Sequence, residues 1–123
     1  MGSGIAQKSA QEQFDVQMVD REEQWVNRGE KIISDFLEEA IERRIFRPEQ
    51  VESIKNRITG VVGTENVAPN TDLVIEAVFE DFDIKKAVFS TLDEVCDEKT
   101  ILASNTSSLS VNELAKATGR PDR

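Results

Sequence analysis

The residues best able to do chemistry in this 123-residue chain lie in one run, Ile101 to Ser110, which reads Ile-Leu-Ala-Ser-Asn-Thr-Ser-Ser-Leu-Ser. Three apolar residues, Ile101, Leu102 and Ala103, give way to hydroxyls and one carboxamide. Ser110 and Glu113 then have the spacing of a capping box opening a helix. The pattern predicts a short buried strand that delivers a polar loop at its carboxyl end. In open α/β sheets ligands sit outside the carboxyl ends of strands, so Asn105, Thr106, Ser107 and Ser108 are well placed to touch one. The competing reading is local: Ser and Thr gather in loops because their hydroxyls satisfy nearby backbone groups.

Carboxylates end two other strand-like runs. Phe14 to Asp20 alternates Phe14, Val16 and Met18 with Asp15 and Gln17 and stops at an acid. Asp72-Leu-Val-Ile-Glu-Ala-Val78 places Glu76 at its carboxyl end and Glu80 after it. A dinucleotide-binding sheet opens its first helix with G-x-G-x-x-G and carries an acid for the adenosine ribose about twenty residues on. Asp20 lies 18 residues after Gly2, which places Gly2 as the third glycine of that motif, with the first two falling before Met1. Met1-Gly-Ser-Gly4 alone reads equally well as a cloning scar.

Other chemistries lack their residues. There is no histidine and a single cysteine, so zinc catalysis, Ser-His-Asp hydrolysis and Cys-His chemistry have nothing to work with. Cys96 reads as a small buried hydrophobe. Fifteen basic against twenty-four acidic residues give a net charge of -9, which argues against a nucleic-acid backbone as partner. No apolar run approaches a membrane span and neither end has a basic-plus-apolar leader, as expected of a cytoplasmic protein.

The elements that position these residues follow from periodicity. Ile5 to Ala10 can begin a helix. Glu22 to about Ile45 is the longest helical pattern, with Trp25, Val26, Ile32, Ile33, Phe36, Leu37, Ala40 and Ile41 on its apolar face. Arg43 and Arg44 near its end suit the helix dipole or, alternatively, a phosphate. Pro48 opens a shorter helix through Val51 and Ile54, completing a helical hairpin. Ile58 to Val62 is a short strand, and Thr64 to Thr71 a turn region. Leu73, Val74 and Ile75 are consecutive, as in a strand covered on both faces. Asp83 to Cys96 is amphipathic, with Ile84, Ala87, Val88, Leu92 and Val95 apolar, and Val111 to Ala117 forms the last helix. Strands interleaved with helices predict a doubly wound parallel α/β sheet in one domain.

Met1-Gly-Ser-Gly-Ile-Ala-Gln7, Asp72 to Val78 with Glu80 and Lys85, and Ala103-Ser-Asn-Thr-Ser-Ser-Leu109 through Arg120-Pro-Asp-Arg123 closely resemble the NAD-binding domain of 3-hydroxyacyl-CoA dehydrogenases, including 3-hydroxybutyryl-CoA dehydrogenases. The resemblance covers essentially the whole chain. It implies a Rossmann-like sheet lacking its first strand, with an inserted helical hairpin over about residues 22–57, and Gly2 as family sequence. It implies NAD as cofactor, acyl-CoA as substrate and an oxidoreductase of fatty acid metabolism that turns a 3-hydroxyl into a 3-keto group. Asp20 would take the adenine-side ribose hydroxyls, and Glu80 and Lys85 would line the nicotinamide-side ribose. Ser107 would contact both the nicotinamide end and the substrate 3-hydroxyl, with Asn105 beside it. Arg43 matches a basic position on the CoA-binding arm, whereas Phe36 replaces a small polar residue expected there.

In the family a histidine about twenty residues beyond the serine takes the hydroxyl proton, and only 16 residues separate Ser107 from Arg123. The expectation is therefore a chain cut at both ends, without the C-terminal substrate and dimerisation domain, inactive by itself. The missing first strand would lie between the strands ending at Asp20 and near Glu76. Its loss would leave two rows of backbone groups unpaired, making the chain unstable, collapsed with those strands paired directly, or reliant on self-association. The parent is expected to be a homo-oligomer. The alternative is a non-catalytic module with residual nucleotide or CoA binding, or self-association only.

Overall fold

A computed structural model describes residues 1–123. The elements are α1 (Gly2–Gln11), β1 (Val16–Asp20), α2 (Glu23–Glu42), α3 (Pro48–Asn56), β2 (Ile58–Val62), a 3-10 turn at Thr64–Asn66, β3 (Leu73–Glu76), α4 (Phe82–Val95), β4 (Ile101–Ser104) and α5 (Val111–Ala115). Their order is the one the periodicities predict. The strands form two parallel pairs: β1 with β2, from Val16 opposite Ile58 to Asp20 opposite Val62, and β3 with β4, from Leu73 opposite Ile101 to Glu76 opposite Ser104. Parallel neighbours need a helical crossover, supplied by α2 and α3 in one case and α4 in the other. The chain divides into two compact units, Met1–Gly63 and Thr64–Arg123.

In the first unit α1, α2 and α3 enclose a core of Ala6, Ala10, Ile33, Leu37, Val51 and Ile54, with Val16, Met18 and Ile58 of the strands against it. Burial of the α2 stripe is narrower than its sequence implies: Val26, Ile33, Leu37 and Ala40 are buried, while Ile32 and Phe36 remain half exposed. α2 also ends at Glu42, short of Ile45. Arg44 turns into the left-handed region at φ 58°, and the Arg44 and Ile45 amides donate to the carbonyls of Ile41 and Ala40. That is a Schellman termination. α1 stops the same way, with Gln13 at φ 72°. Ahead of α3 the Arg47 amide donates to Gln50 Oε1 at 2.9 Å and the Gln50 amide to the Arg47 carbonyl at 3.0 Å, and Pro48 occupies the first turn as predicted.

In the second unit Asp81 caps α4 by accepting from the Ile84 amide at 3.0 Å, which starts the helix just before the predicted Asp83. The buried face of α4 is Lys85, Phe89 and Leu92, continued by Cys96; Ile84 and Ala87, expected inside, face outward. The i, i+4, i+7 spacing of the buried set forms one stripe. β3 and β4 correct a further expectation. Consecutive apolar residues implied cover on both faces, yet Leu73 and Ile75 of β3 and Ile101 of β4 are exposed, while Glu76 is buried. Hydrophobicity reports a preference for burial, and the second unit has helices enough for one face only. Ser110 caps α5 by accepting from the Glu113 amide.

Candidate functional site

In the first unit the sequence-derived residues are presented by separate element ends. Gly2 lies in the first turn of α1. A Cβ added at the neighbouring Gly4 would meet nothing within 4 Å, so no packing within the chain requires glycine there. Asp20 is the last residue of β1 and is exposed, one carboxylate oxygen accepting the Arg21 amide at 2.7 Å. The same residue's carbonyl accepts from Gly63, closing the end of the β1–β2 ladder. Arg43 caps the end of α2, exposed, with its guanidinium on Glu39 at 2.5 Å. Between α1 and α2 a shallow recess of about 270 Å³ is lined by Ser3, Gly4, Gln7, Lys8, Ile32 and Phe36.

In the second unit four predicted residues converge at the carboxyl ends of β3 and β4. Glu80 is exposed, and its Oε1 accepts the hydroxyls of both Thr106 and Ser108, the latter at 2.9 Å. Lys85 approaches Glu80 Oε2 at 3.4 Å. The Thr106 and Ser108 hydroxyls push the Glu80 carboxyl down to about 2 against the opposing desolvation, with lesser help from Lys85. Ser107 stands between the two residues that Glu80 holds, exposed, with its hydroxyl engaged by no neighbour. Asn105 is exposed, and its amide donates to the Glu76 carbonyl at 2.8 Å.

Lys85 is the surprise of the set. Its side chain is 1% exposed and its ammonium donates to Glu76 Oε1 at 2.7 Å and to the Val78 carbonyl at 3.3 Å. Glu76 is as deeply buried and fully used: Oε1 also accepts the Val78 amide at 2.7 Å, and Oε2 the Ser104 hydroxyl at 2.6 Å. Every buried side-chain donor and acceptor in the chain has a partner. Sequence reasoning placed Glu76 at a strand end without giving it a role, and did not separate Thr106 and Ser108 from their loop. The available signal was an acid directly after the apolar run Leu73 to Ile75, with a lysine nine residues on, a combination that stays buried only when the charges pair.

The arrangement supplies an exposed carboxylate at one strand end, and in the other unit an exposed, uncommitted hydroxyl in a loop tied down on both sides. Such groups bind and orient; none is a nucleophile activated by a base. No three acids, cysteines or histidines gather as a metal site, and no helix is long and apolar enough to cross a membrane.

Residues 1–123 match the family model described as 3-hydroxyacyl-CoA dehydrogenase, NAD binding domain. The whole chain is 42% identical to 42% of "Probable 3-hydroxybutyryl-CoA dehydrogenase" of Bacillus subtilis, and 37% identical to 43% of 3-hydroxybutyryl-CoA dehydrogenase of Clostridioides difficile. It superposes on the crystal structure of (S)-3-hydroxybutyryl-CoA dehydrogenase from Ralstonia eutropha with a TM-score of 0.93 at 35% identity, covering 99% of this chain and 43% of that one. The fold is thus the Rossmann-like one, and the chain spans about two fifths of the length of the curated relatives it matches.

Proposed function

The chain belongs to the 3-hydroxyacyl-CoA dehydrogenase NAD binding domain family, and on that footing we propose that it holds NAD and an acyl-CoA for oxidation of the 3-hydroxyl to a 3-keto group. Bound NAD would supply the acceptor for the hydride leaving C3. The chain's own residues bind and orient. Asp20 accepts the adenine-side ribose hydroxyls, and the backbone at Gly2 leaves room at the start of α1 for a close approach. Glu80, with Lys85 behind it, lines the nicotinamide-side ribose, Ser107 with Asn105 beside it meets the nicotinamide end and bonds the substrate oxygen, and Arg43 meets the CoA portion. Fixing the reacting carbons in this way is worth on the order of 7–11 kcal/mol of barrier. The proton of the 3-hydroxyl needs an acceptor from outside this chain, which contains no histidine.

The observation that carries the reading is Ser107: an exposed hydroxyl with no partner, flanked by two residues that Glu80 immobilises. A substrate oxygen finds a ready hydrogen-bond partner there. The acyl-CoA specificity, a cytoplasmic location consistent with one unpaired, buried cysteine, and assembly as an oligomer belong to the same proposal. The outward Leu73, Ile75 and Ile101 favour a separate event, self-association of this chain through its exposed strands.

The test is titration of the chain with NADH, following nucleotide fluorescence, beside an Asp20→Ala variant. Because Asp20 is exposed and its side chain bonds only the adjacent amide, its removal leaves the fold intact. Saturable binding weakened ten-fold or more by the substitution is expected, as for loss of a charged hydrogen bond of about 1.5–3 kcal/mol. Binding indifferent to the substitution, or none at all, rejects the assignment.

A further inference from the structure

We propose that Glu76 and Lys85 are positioning residues: a buried ion pair that braces Glu80 and, through Glu80 and Ser104, holds the loop presenting Ser107. The inference rests on the reading of Ser107 as the substrate contact, and adds a role for Glu76, which the sequence leaves without one.

A continuous path of bonds carries it. Glu76 gathers three donors on its carboxylate: the Lys85 ammonium at 2.7 Å, the Val78 amide at 2.7 Å and the Ser104 hydroxyl at 2.6 Å. Its carbonyl accepts from Asn105, so the same residue grips the loop by backbone and by side chain. Lys85 spans from Glu76 to Glu80. Glu80 then holds Thr106 and Ser108, one on each side of Ser107. Two further bonds close the loop on itself: the Thr106 amide to the Ser104 hydroxyl at 3.2 Å and the Leu109 amide to the Thr106 hydroxyl at 3.0 Å. Each loop residue beside Ser107 is therefore fixed by a group that traces back to Glu76, and the exposed Ser107 hydroxyl is left without a partner between them.

The burial of the pair decides its role. A surface salt bridge contributes little and shifts readily. Here both side chains are 1% exposed, where removing one partner strands a charge and costs far more than the pair is worth in net stability. Such a pair fixes geometry. The pairing also explains why Lys85 of α4 points inward while its neighbours Ile84 and Lys86 lie outside.

Residue-resolved amide hydrogen exchange on the 123-residue chain, without nucleotide or acyl-CoA, tests the proposal. Glu76→Gln/Lys85→Met removes both buried charges at nearly constant volume, and Glu80→Gln removes the charge that Lys85 reaches. Each is expected to speed exchange of the Thr106 and Leu109 amides at least ten-fold while Phe89 and Leu92 in α4 stay protected. Combining all three is expected to add less than two-fold, because they act on one path. Unchanged loop exchange in either variant, or full multiplication in the combination, overturns it. Should the double substitution unfold the unit, Glu76→Asp keeps the charge and shortens its reach, and loop exchange unaltered there also overturns the proposal. Since no ligand is present, a failed NADH titration and a failed brace are separately visible.

Discussion

Replacing Gly60 by alanine should force α2 away from β2. Gly60 lies opposite Met18 in the β1–β2 ladder, two positions before Asp20. A Cβ built there would stand 2.6 Å from Val26 Cγ1 and clash with the carboxylate of Glu30. Glu30 is exposed and can swing aside; Val26 is 5% exposed and β-branched, with little rotamer freedom. Ordinary carbon contacts lie at about 3.5–4.0 Å, so the crossing must open by roughly 1 Å. Overpacking of that kind costs about 1–3 kcal/mol. Val26→Ala alone loses two buried methyl groups and leaves a small cavity, for about 2 kcal/mol. Together the substitutions relieve each other, so the double variant should be at least ~1 kcal/mol more stable than the sum of the singles. Urea unfolding read by fluorescence suits the measurement, because the one tryptophan, Trp25, sits in the first turn of α2 in the same unit. With an m-value of ~1 kcal/mol/M, the Gly60→Ala midpoint should fall by roughly 1–3 M. A midpoint that does not move, or strict additivity in the double variant, would refute the close approach.

Three other outcomes are expected. Arg44→Gly should raise stability by up to about 1 kcal/mol in the same urea assay, since a left-handed backbone costs a non-glycine residue ~1–2 kcal/mol and glycine returns part of that gain as unfolded-chain entropy. Arg120 binds the Asp93 carboxylate at 2.8 Å and the carbonyls of Asp93, Cys96 and Asp97 at the end of α4, with its side chain 11% exposed. Arg120→Ala should therefore destabilise by on the order of 3 kcal/mol in thermal or urea unfolding followed by circular dichroism, and Arg120→Lys should not rescue it, because one ammonium cannot serve that fork. Acid should loosen the Ser107 loop late. The Thr106 and Ser108 hydroxyls hold the folded Glu80 carboxyl at about 2, below its ordinary 4.5. Its contribution is thus fully present above pH 4.5 and lost as pH falls through about 2; loop amide shifts should titrate there, and in Glu80→Gln that titration should vanish.

Much of this was legible in the sequence because the signals are local. Pro48, the Ser110–Glu113 spacing and the 3.6-residue stripe of α2 each specify an element with no knowledge of the rest. What failed depends on neighbours. The run Leu73 to Ile75 looks like a strand covered on both faces, yet composition does not say how many layers will cover it, and Leu73 and Ile75 face outward. Ile32 and Phe36 continue the α2 stripe beyond the width of the core it meets. The apolar positions of α4 do not include Lys85, yet an acid from β3 draws it into the buried face. At the candidate site, spacing marked Asp20, residue types marked the loop from Asn105 to Ser108, and the resemblance singled out Ser107 within it; the structure leaves Asp20 and Ser107 exposed. The brace behind Ser107 was hidden because its members are brought together only by the pairing of β3 with β4.

The two parallel pairings carry a kinetic consequence. Neither can be nucleated by a tight turn: Val16 meets Ile58 only after all of α2 and α3 is in place, and Leu73 meets Ile101 only after α4. Helices here must consolidate before the strands they connect, and ladder formation should be the slow event in reaching the native state. During that interval Leu73, Ile75 and Ile101, outward even at the end, are open to strand-to-strand capture by other chains. Yield on refolding should accordingly fall as protein concentration rises, and lysine placed at Leu73 or Ile101 should restore it.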